Sequence, residues 1–197
     1  MNVLVVLAHP NRDSFTGRLV DNFVEGLAEA GHGATVADLY GEGFDPCFSA
    51  EDMAHYNGAA EASAVTRAEH ARLDAADGLV LAFPVWWWSM PAMLKGWVDR
   101  TFTGGYAYDY IDGKTTGKLT DRPALILAAA ATDAGTYAKY GYDKAVKSQI
   151  DVGIMRYCGL SRITTRILHD VGDDAAIIEG HLAEANSLGR SFLPGSG

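Results

Sequence analysis

Val3-Leu4-Val5-Val6-Leu7-Ala8-His9-Pro10 opens the chain with six apolar residues and then stops on a turn. A run without polar alternation has no solvent face, so it reads as a strand buried on both sides, as in a parallel sheet. The pattern returns at Gly78-Leu79-Val80-Leu81-Ala82-Phe83, before Pro84, and at Pro123-Ala124-Leu125-Ile126-Leu127-Ala128-Ala129. Two further strands read at 34–39 and 163–168. Helical stripes fill the gaps. Ser14 precedes Phe15, Leu19, Phe23, Leu27 and Ala30 on one face, and Gly31 ends the run as a left-handed stop. Other helices read at about 60–76, 91–102, 136–158 and 173–191, with the start of a short one at Ser49-Ala50-Glu51-Asp52 inside the irregular stretch 40–57.

Strand and helix alternate five times, which predicts an α/β fold with a five-stranded parallel sheet and helices on both faces. At 197 residues the flavodoxin-like order 2-1-3-4-5 is favoured over the longer six-stranded dinucleotide fold. One domain over 1–193 is expected, with 194–197 a disordered tail. Acidic residues outnumber basic ones 25 to 16, and no Lys/Arg run interrupts them. That argues against a nucleic-acid partner, which needs a basic face to replace phosphate counterions. Two distant cysteines, Cys47 and Cys158, give neither a metal spacing nor a disulfide framework. The apolar start lacks a positive flank and breaks too early for a signal peptide or membrane span, so a cytoplasmic chain without membrane insertion is expected.

In such sheets a ligand sits beyond the carboxyl ends of the strands, where the chain order reverses. Three loops lie there. The first, His9-Pro10-Asn11-Arg12-Asp13-Ser14-Phe15-Thr16, runs into a helix start, a natural anion site with hydroxyls from Ser14 and Thr16. Ser14 or Asp13 acting only as helix cap accounts for it equally well. The loop lacks the glycine fingerprint of dinucleotide folds. The second, Pro84-Val85-Trp86-Trp87-Trp88-Ser89, carries more indole than one core can take from a loop. Trp87 and Trp88 are therefore expected to face a ligand, and Trp97, on the following helix, to pack inside. The third, Ala129-Ala130-Ala131-Thr132-Asp133-Ala134-Gly135-Thr136-Tyr137, lets a flat ligand approach the backbone, with the Tyr137 phenol beside it; a tyrosine packed only on its own helix accounts for Tyr137 equally well.

Other features are discounted. Gly113-Lys114-Thr115-Thr116-Gly117-Lys118 has the wrong glycine spacing for a phosphate loop and reads as a turn. His32, His55, His169 and His181 show no metal-ligand spacing and read as core or surface side chains, so no metal is expected.

Taken together, Ala8-His9-Pro10 with Ser14-Phe15, the stretch Phe83 to Arg100 (FPVWWWSMPAMLKGWVDR), and Gly105-Tyr106-Ala107-Tyr108 resemble the flavodoxin-like NAD(P)H:quinone oxidoreductase family, including its modulator-of-drug-activity and DT-diaphorase types. The resemblance implies a homodimer with one flavin per subunit, FAD with FMN as the alternative, and NAD(P)H as co-substrate. It implies that His9, Ser14, Phe15 and Thr16 contact the flavin phosphate region. Pro84, Val85, Trp86, Trp87 and Trp88, with Ala131 and Thr132, would line the ring, and Tyr108, Tyr110 and Tyr137 would border the quinone pocket, with Tyr137 the catalytic candidate. Two departures stand out. Ala129-Ala130-Ala131-Thr132 replaces a Thr-Thr-Gly-Gly turn, and Asp143 falls where those relatives place a catalytic histidine. The expected reaction is ping-pong hydride transfer to quinones or similar planar acceptors. Azo or nitro reduction, an ancillary subunit of a membrane transporter and an electron-carrier flavodoxin are the alternatives. Exposure of the tryptophan loop and of 105–108 is what a dimer would cover.

Overall fold

The computed structural model describes residues 1–194; the expected disordered tail lies, for 195–197, outside them. Five parallel strands form one sheet: β1 (Asn2–Leu7), β2 (Gly33–Asp38), β3 (Gly78–Pro84), β6 (Ala124–Ala129) and β7 (Ile163–Leu168), side by side as β2-β1-β3-β6-β7. Counted without the two hairpin strands described below, this is the expected 2-1-3-4-5 order. The three central strands are buried almost throughout, whereas β2 and β7, with a free edge each, alternate in exposure. The unbroken apolar runs thus mark the middle of the sheet and the mixed ones its rims.

Each face of the sheet has its own apolar layer. Leu4, Val6, Leu81, Phe83 and Ile126 pack towards α4 (Ala92–Thr101), where Leu94 and Trp97 are fully buried. Trp97 is a core residue, and its Nε1–H donates to buried Glu69 on α3 (Ala64–Asp74) at 2.9 Å. On the other face Val3, Val5, Leu7, Val80 and Leu127 meet Leu19, Phe23 and Leu27 of α1 (Phe15–Glu29) and Ala185 of α7 (Ala175–Ser191). Helices α1 and α7 touch backbone to backbone. A Cβ on Gly26 would lie 2.0 Å from the Asn186 carbonyl oxygen, so only glycine fits there.

Two elements differ from the sequence reading. The helix expected over 136–158 is broken. It consists of α5 (Ala134–Tyr140), α6 (Tyr142–Val146) and a π-helical segment, Lys147–Arg156. Gly141, at φ +74°, ends α5 in the left-handed region and redirects the chain. The stretch after α4 is not an open loop. It folds into an antiparallel hairpin of β4 (Tyr108–Ile111) and β5 (Lys114–Gly117). Its turn, Asp112-Gly113, has positive φ at both positions, the hairpin geometry that Asp-Gly favours. The predicted turn at Gly113 is therefore the tip of a hairpin. The capped helix expected from Ser49 is present as α2 (Ala50–Tyr56), with Ser49 and Asp52 bonding each other reciprocally.

Candidate functional site

The carboxyl ends of β1, β3 and β6 are adjacent in the sheet, so the three loops that follow them meet at one edge. In the first loop Ser14 accepts from the Gly17 amide at 3.2 Å and caps α1. The amides of Phe15 and Thr16 have no hydrogen-bond partner among the described residues, which leaves an open, dipole-assisted anion site at the helix start. His9 Nδ1 is held by the Asn11 main chain, 3.0 Å from its amide nitrogen, so the ring is fixed while Nε2 has no partner among the described residues. Arg12, the cationic side chain of this loop, is paired with Asp21, which raises its pKa and neutralises its charge. A Cβ on Gly17 would sit 1.9 Å from the Arg12 carbonyl oxygen, so the glycine lets this loop lie down on its helix.

The second loop is a tight two-residue turn. Trp86 and Ser89 exchange both backbone hydrogen bonds, each 3.1 Å, across Trp87 and Trp88. Those two central residues have φ of +51° and +63°. Left-handed backbone at two consecutive indoles is costly, and such strain persists only where the surroundings dictate the shape. The turn separates the three tryptophans. Trp87 is 92% exposed, Trp86 lies tilted beside His9 at 6.4 Å, and Trp88 is half-buried. Pro84 and Val85 lie partly buried, with the Val85 amide tied to the Ala129 carbonyl at 2.8 Å. No partner is found for the Trp87 and Trp88 amides among the described residues.

The third loop contains no residue with positive φ, so alanines at 129–131 follow its path without a glycine. Ala131 is exposed and Thr132 half-buried, and their amides too have no partner among the described residues. Asp133 accepts from the Thr136 hydroxyl and amide and caps α5; those bonds lower its pKa. Tyr137 is only 1% exposed, and burial raises the pKa of its phenol. Its ring stands edge-on to Trp88 at 5.6 Å, to Tyr142 at 5.9 Å and to His169 at 4.6 Å. Tyr142 stacks on Trp88 at 3.8 Å with the rings 10° apart. The sequence reading missed Tyr142 because it drew one helix through Gly141; the Tyr-Gly pair at 140–141 was the available signal of a helix end. Asp143, at the position of the resembled family's histidine, has its Oδ1 buried without a hydrogen-bond partner.

Tyr108 and Tyr110 do not join these loops within the chain. They line a separate cavity of about 910 Å³ between α2, the end of α4, the hairpin and the π-helical segment. Its wall includes His55, Phe102, Tyr157 and Cys158, whose thiol pKa burial pushes up to about 11. No residue of the three strand-end loops lines it. The expected exposure of 105–108 is corrected in part. Ala107 is buried and Tyr106 stacks on His70 at 3.5 Å, because its hydroxyl reaches Asp74 at 2.8 Å; the exposed aromatic of the region is Tyr110. Among the described residues there is no cluster that could hold a metal ion, and no helix is long and apolar enough to cross a membrane.

A sheet of this order with an anion-ready helix start and a flat aromatic wall at its switch point is the architecture of flavodoxin-like proteins. The model of the family described by that fold matches residues 1–188. An uncharacterised NAD(P)H oxidoreductase of Haemophilus influenzae is 30% identical over 87% of this chain and 85% of its own. NAD(P)H dehydrogenase [quinone] 1 of Rattus norvegicus is 28% identical over 86% of this chain and 69% of its own. Among solved structures, the NAD(P)H:quinone oxidoreductase of Methanothermobacter marburgensis superimposes with a TM-score of 0.93 at 31% identity, over 98% of this chain and 99% of that one. The chain belongs to the flavodoxin-like NAD(P)H:quinone oxidoreductase family.

Proposed function

We propose that the chain is a flavin-dependent NAD(P)H:quinone oxidoreductase working by a ping-pong reaction. The carrying observation is the pairing of unspent main-chain donors with a flat aromatic wall at the switch point. The amides of Phe15 and Thr16 fit an anionic phosphate, with Ser14 and His9 beside them. The amides of Trp87, Trp88, Ala131 and Thr132 fit the polar edge of a planar heterocycle, and the indoles fit its faces. This donor set matches a flavin. When bound, a flavin held by these residues would supply the hydride-transfer chemistry that links NAD(P)H oxidation to two-electron, proton-coupled reduction of a quinone at the same place.

The chain's own residues would do the rest. Trp87 and Trp88, with Pro84, Val85 and Trp86, orient the ring, while the free amides favour the negative charge that reduction leaves on it. Tyr137 sits behind Trp88 with a phenol kept protonated by burial, so it can donate a hydrogen bond into the pocket or hold a proton there. FAD is favoured over FMN from the resemblance of the first loop. Tyr108 and Tyr110 line a cavity that no residue of those loops enters, so a single subunit would carry the two halves of the pocket apart. A homodimer bringing the hairpin of one subunit to the tryptophan loop of the other would complete it and cover Trp87 and Tyr110.

Heat release of the bound group, followed by chromatography, tests the reading directly. FAD, or FMN, with quinone-dependent NAD(P)H oxidation is expected. A purified chain that takes up neither flavin on titration would overturn the assignment. A monomer mass by light scattering at micromolar concentration would overturn the shared pocket.

A further inference from the structure

The third loop is fixed at two points and free between them. Ala130 is locked to the end of β7 by its amide, which donates to the Leu168 carbonyl at 2.8 Å, and to the turn after it by its carbonyl, which accepts from Val171 at 3.0 Å. Asp133 is locked as the cap of α5. Between them, Ala131 and Thr132 carry the two unspent amides assigned above to the cofactor. Among the described residues these two positions make one hydrogen bond: the Thr132 carbonyl lies 3.2 Å from His169 Nδ1. A carbonyl can only accept, so Nδ1 carries the proton.

His169 is itself held in place. It follows β7 directly, and Asp170, at φ +58°, turns the chain back over the loop in a conformation that a non-glycine residue adopts at a cost. His181, on α7, donates from Nε2 to the His169 carbonyl at 2.7 Å. The other face of the His181 environment is the first loop, where its ring meets Phe15 edge-on at 6.2 Å. The His169 ring also stands against Tyr137. Two histidines that carry no metal spacing thus connect the first loop, the third loop and the pocket tyrosine.

We propose that His169 is a positioning residue for the cofactor: its Nδ1–H sets the carbonyl of Thr132, and so aims the Ala131 and Thr132 amides, with His181 bracing it from α7. This rests on the flavin reading above. The test uses apo-protein titrated with FAD, and with FMN in a parallel series, followed by flavin fluorescence. His169→Leu keeps bulk and removes the donor, whereas His169→Asn places an amide N–H where Nδ1–H was. His169→Leu is expected to weaken flavin binding by roughly fivefold, the scale of one net hydrogen bond. His169→Asn should return to within about twofold of the unaltered chain. Neither variant should melt far below the unaltered apo-protein, because the bond orders a loop and not the core. Leu and Asn variants that bind equally tightly, or equally weakly, would overturn the proposal. An unaltered chain that binds neither flavin would instead overturn the reading on which it rests.

Discussion

The two ends of α4 treat their polar groups in opposite ways. Around its C-terminal half, the buried charged and aromatic side chains are paired with one another, although the hydroxyls of Thr101 and Thr103 are buried without a partner among the described residues. Arg100 is 8% exposed and Asp52 5%; they meet at 2.9 Å, while Trp97 is bonded to Glu69, and His70, Tyr106 and Asp74 are linked together. Ahead of its N-terminus, the tryptophan turn and its neighbouring loops leave amide after amide without a partner and hold two indoles in left-handed backbone. The first region is built to be stable by itself. The second is stable only as far as its supports allow, and its unspent donors are what a ligand would use.

The sharpest way to break this contrast is Arg100→Met. It leaves Asp52 buried without its counter-charge and should cost about 3–5 kcal/mol of apo stability by urea unfolding. Flavin affinity of the protein that remains folded should be unchanged. Equal losses in both would mean that the two ends of α4 are energetically one unit.

Tyr137→Phe keeps the ring among Trp88, Tyr142 and His169 and removes only the hydroxyl. Fold and flavin content should persist, and reduction by NADPH and by NADH in a stopped-flow instrument should slow by about tenfold. That is below the roughly hundred- to thousandfold loss of a rigid oxyanion donor, since Asp143 stands where a histidine partner would be. Unchanged rates with both donors would leave Tyr137 a packing residue.

Trp87→Gly sharpens the comparison from the other side. At 92% exposure the indole contributes little burial, and glycine tolerates φ +51°. Apo stability should rise by about 1 kcal/mol while flavin binding weakens, a trade expected at a strained functional turn and not in a core. A loss of several kcal/mol would return Trp87 to a structural role.

The smallest effect is the pH dependence of the Asp52 pair. Burial pushes this carboxyl up, but bonds from Ser49 and Arg100 outweigh it and hold the pKa below its ordinary 3.8. A carboxyl with a lowered folded pKa adds stability that is complete above the ordinary value and lost as pH falls through the lowered one. Asp52→Asn should therefore flatten the fall in melting temperature below about pH 4. An acid limb of unchanged slope would show that other carboxylates set it.

Much of this was legible in advance because it depends on short-range pattern. Unbroken apolar runs such as Val3 to Ala8, bounded by turns, read as central strands, Ser14 and Ser49 cap the helices they precede, and the helical spacing of Trp97 turns it inward. Pattern also located the three loops, since a parallel sheet of this order has one switch point.

Tertiary structure alone decided the rest. The sequence shows three tryptophans but not the turn that sends Trp87 outward and Trp88 onto Tyr142, because that depends on backbone strain held by neighbouring loops. It shows Tyr108 and Tyr137 as comparable pocket tyrosines. Folding buries Tyr137 behind the aromatic wall and puts Tyr108 in a separate cavity, since their places depend on where a hairpin docks. His169 and His181, unremarkable in sequence at twelve residues apart, meet across β7 and α7. Only a folded chain brings a ring at the end of a strand to the carbonyl of a loop 37 residues away.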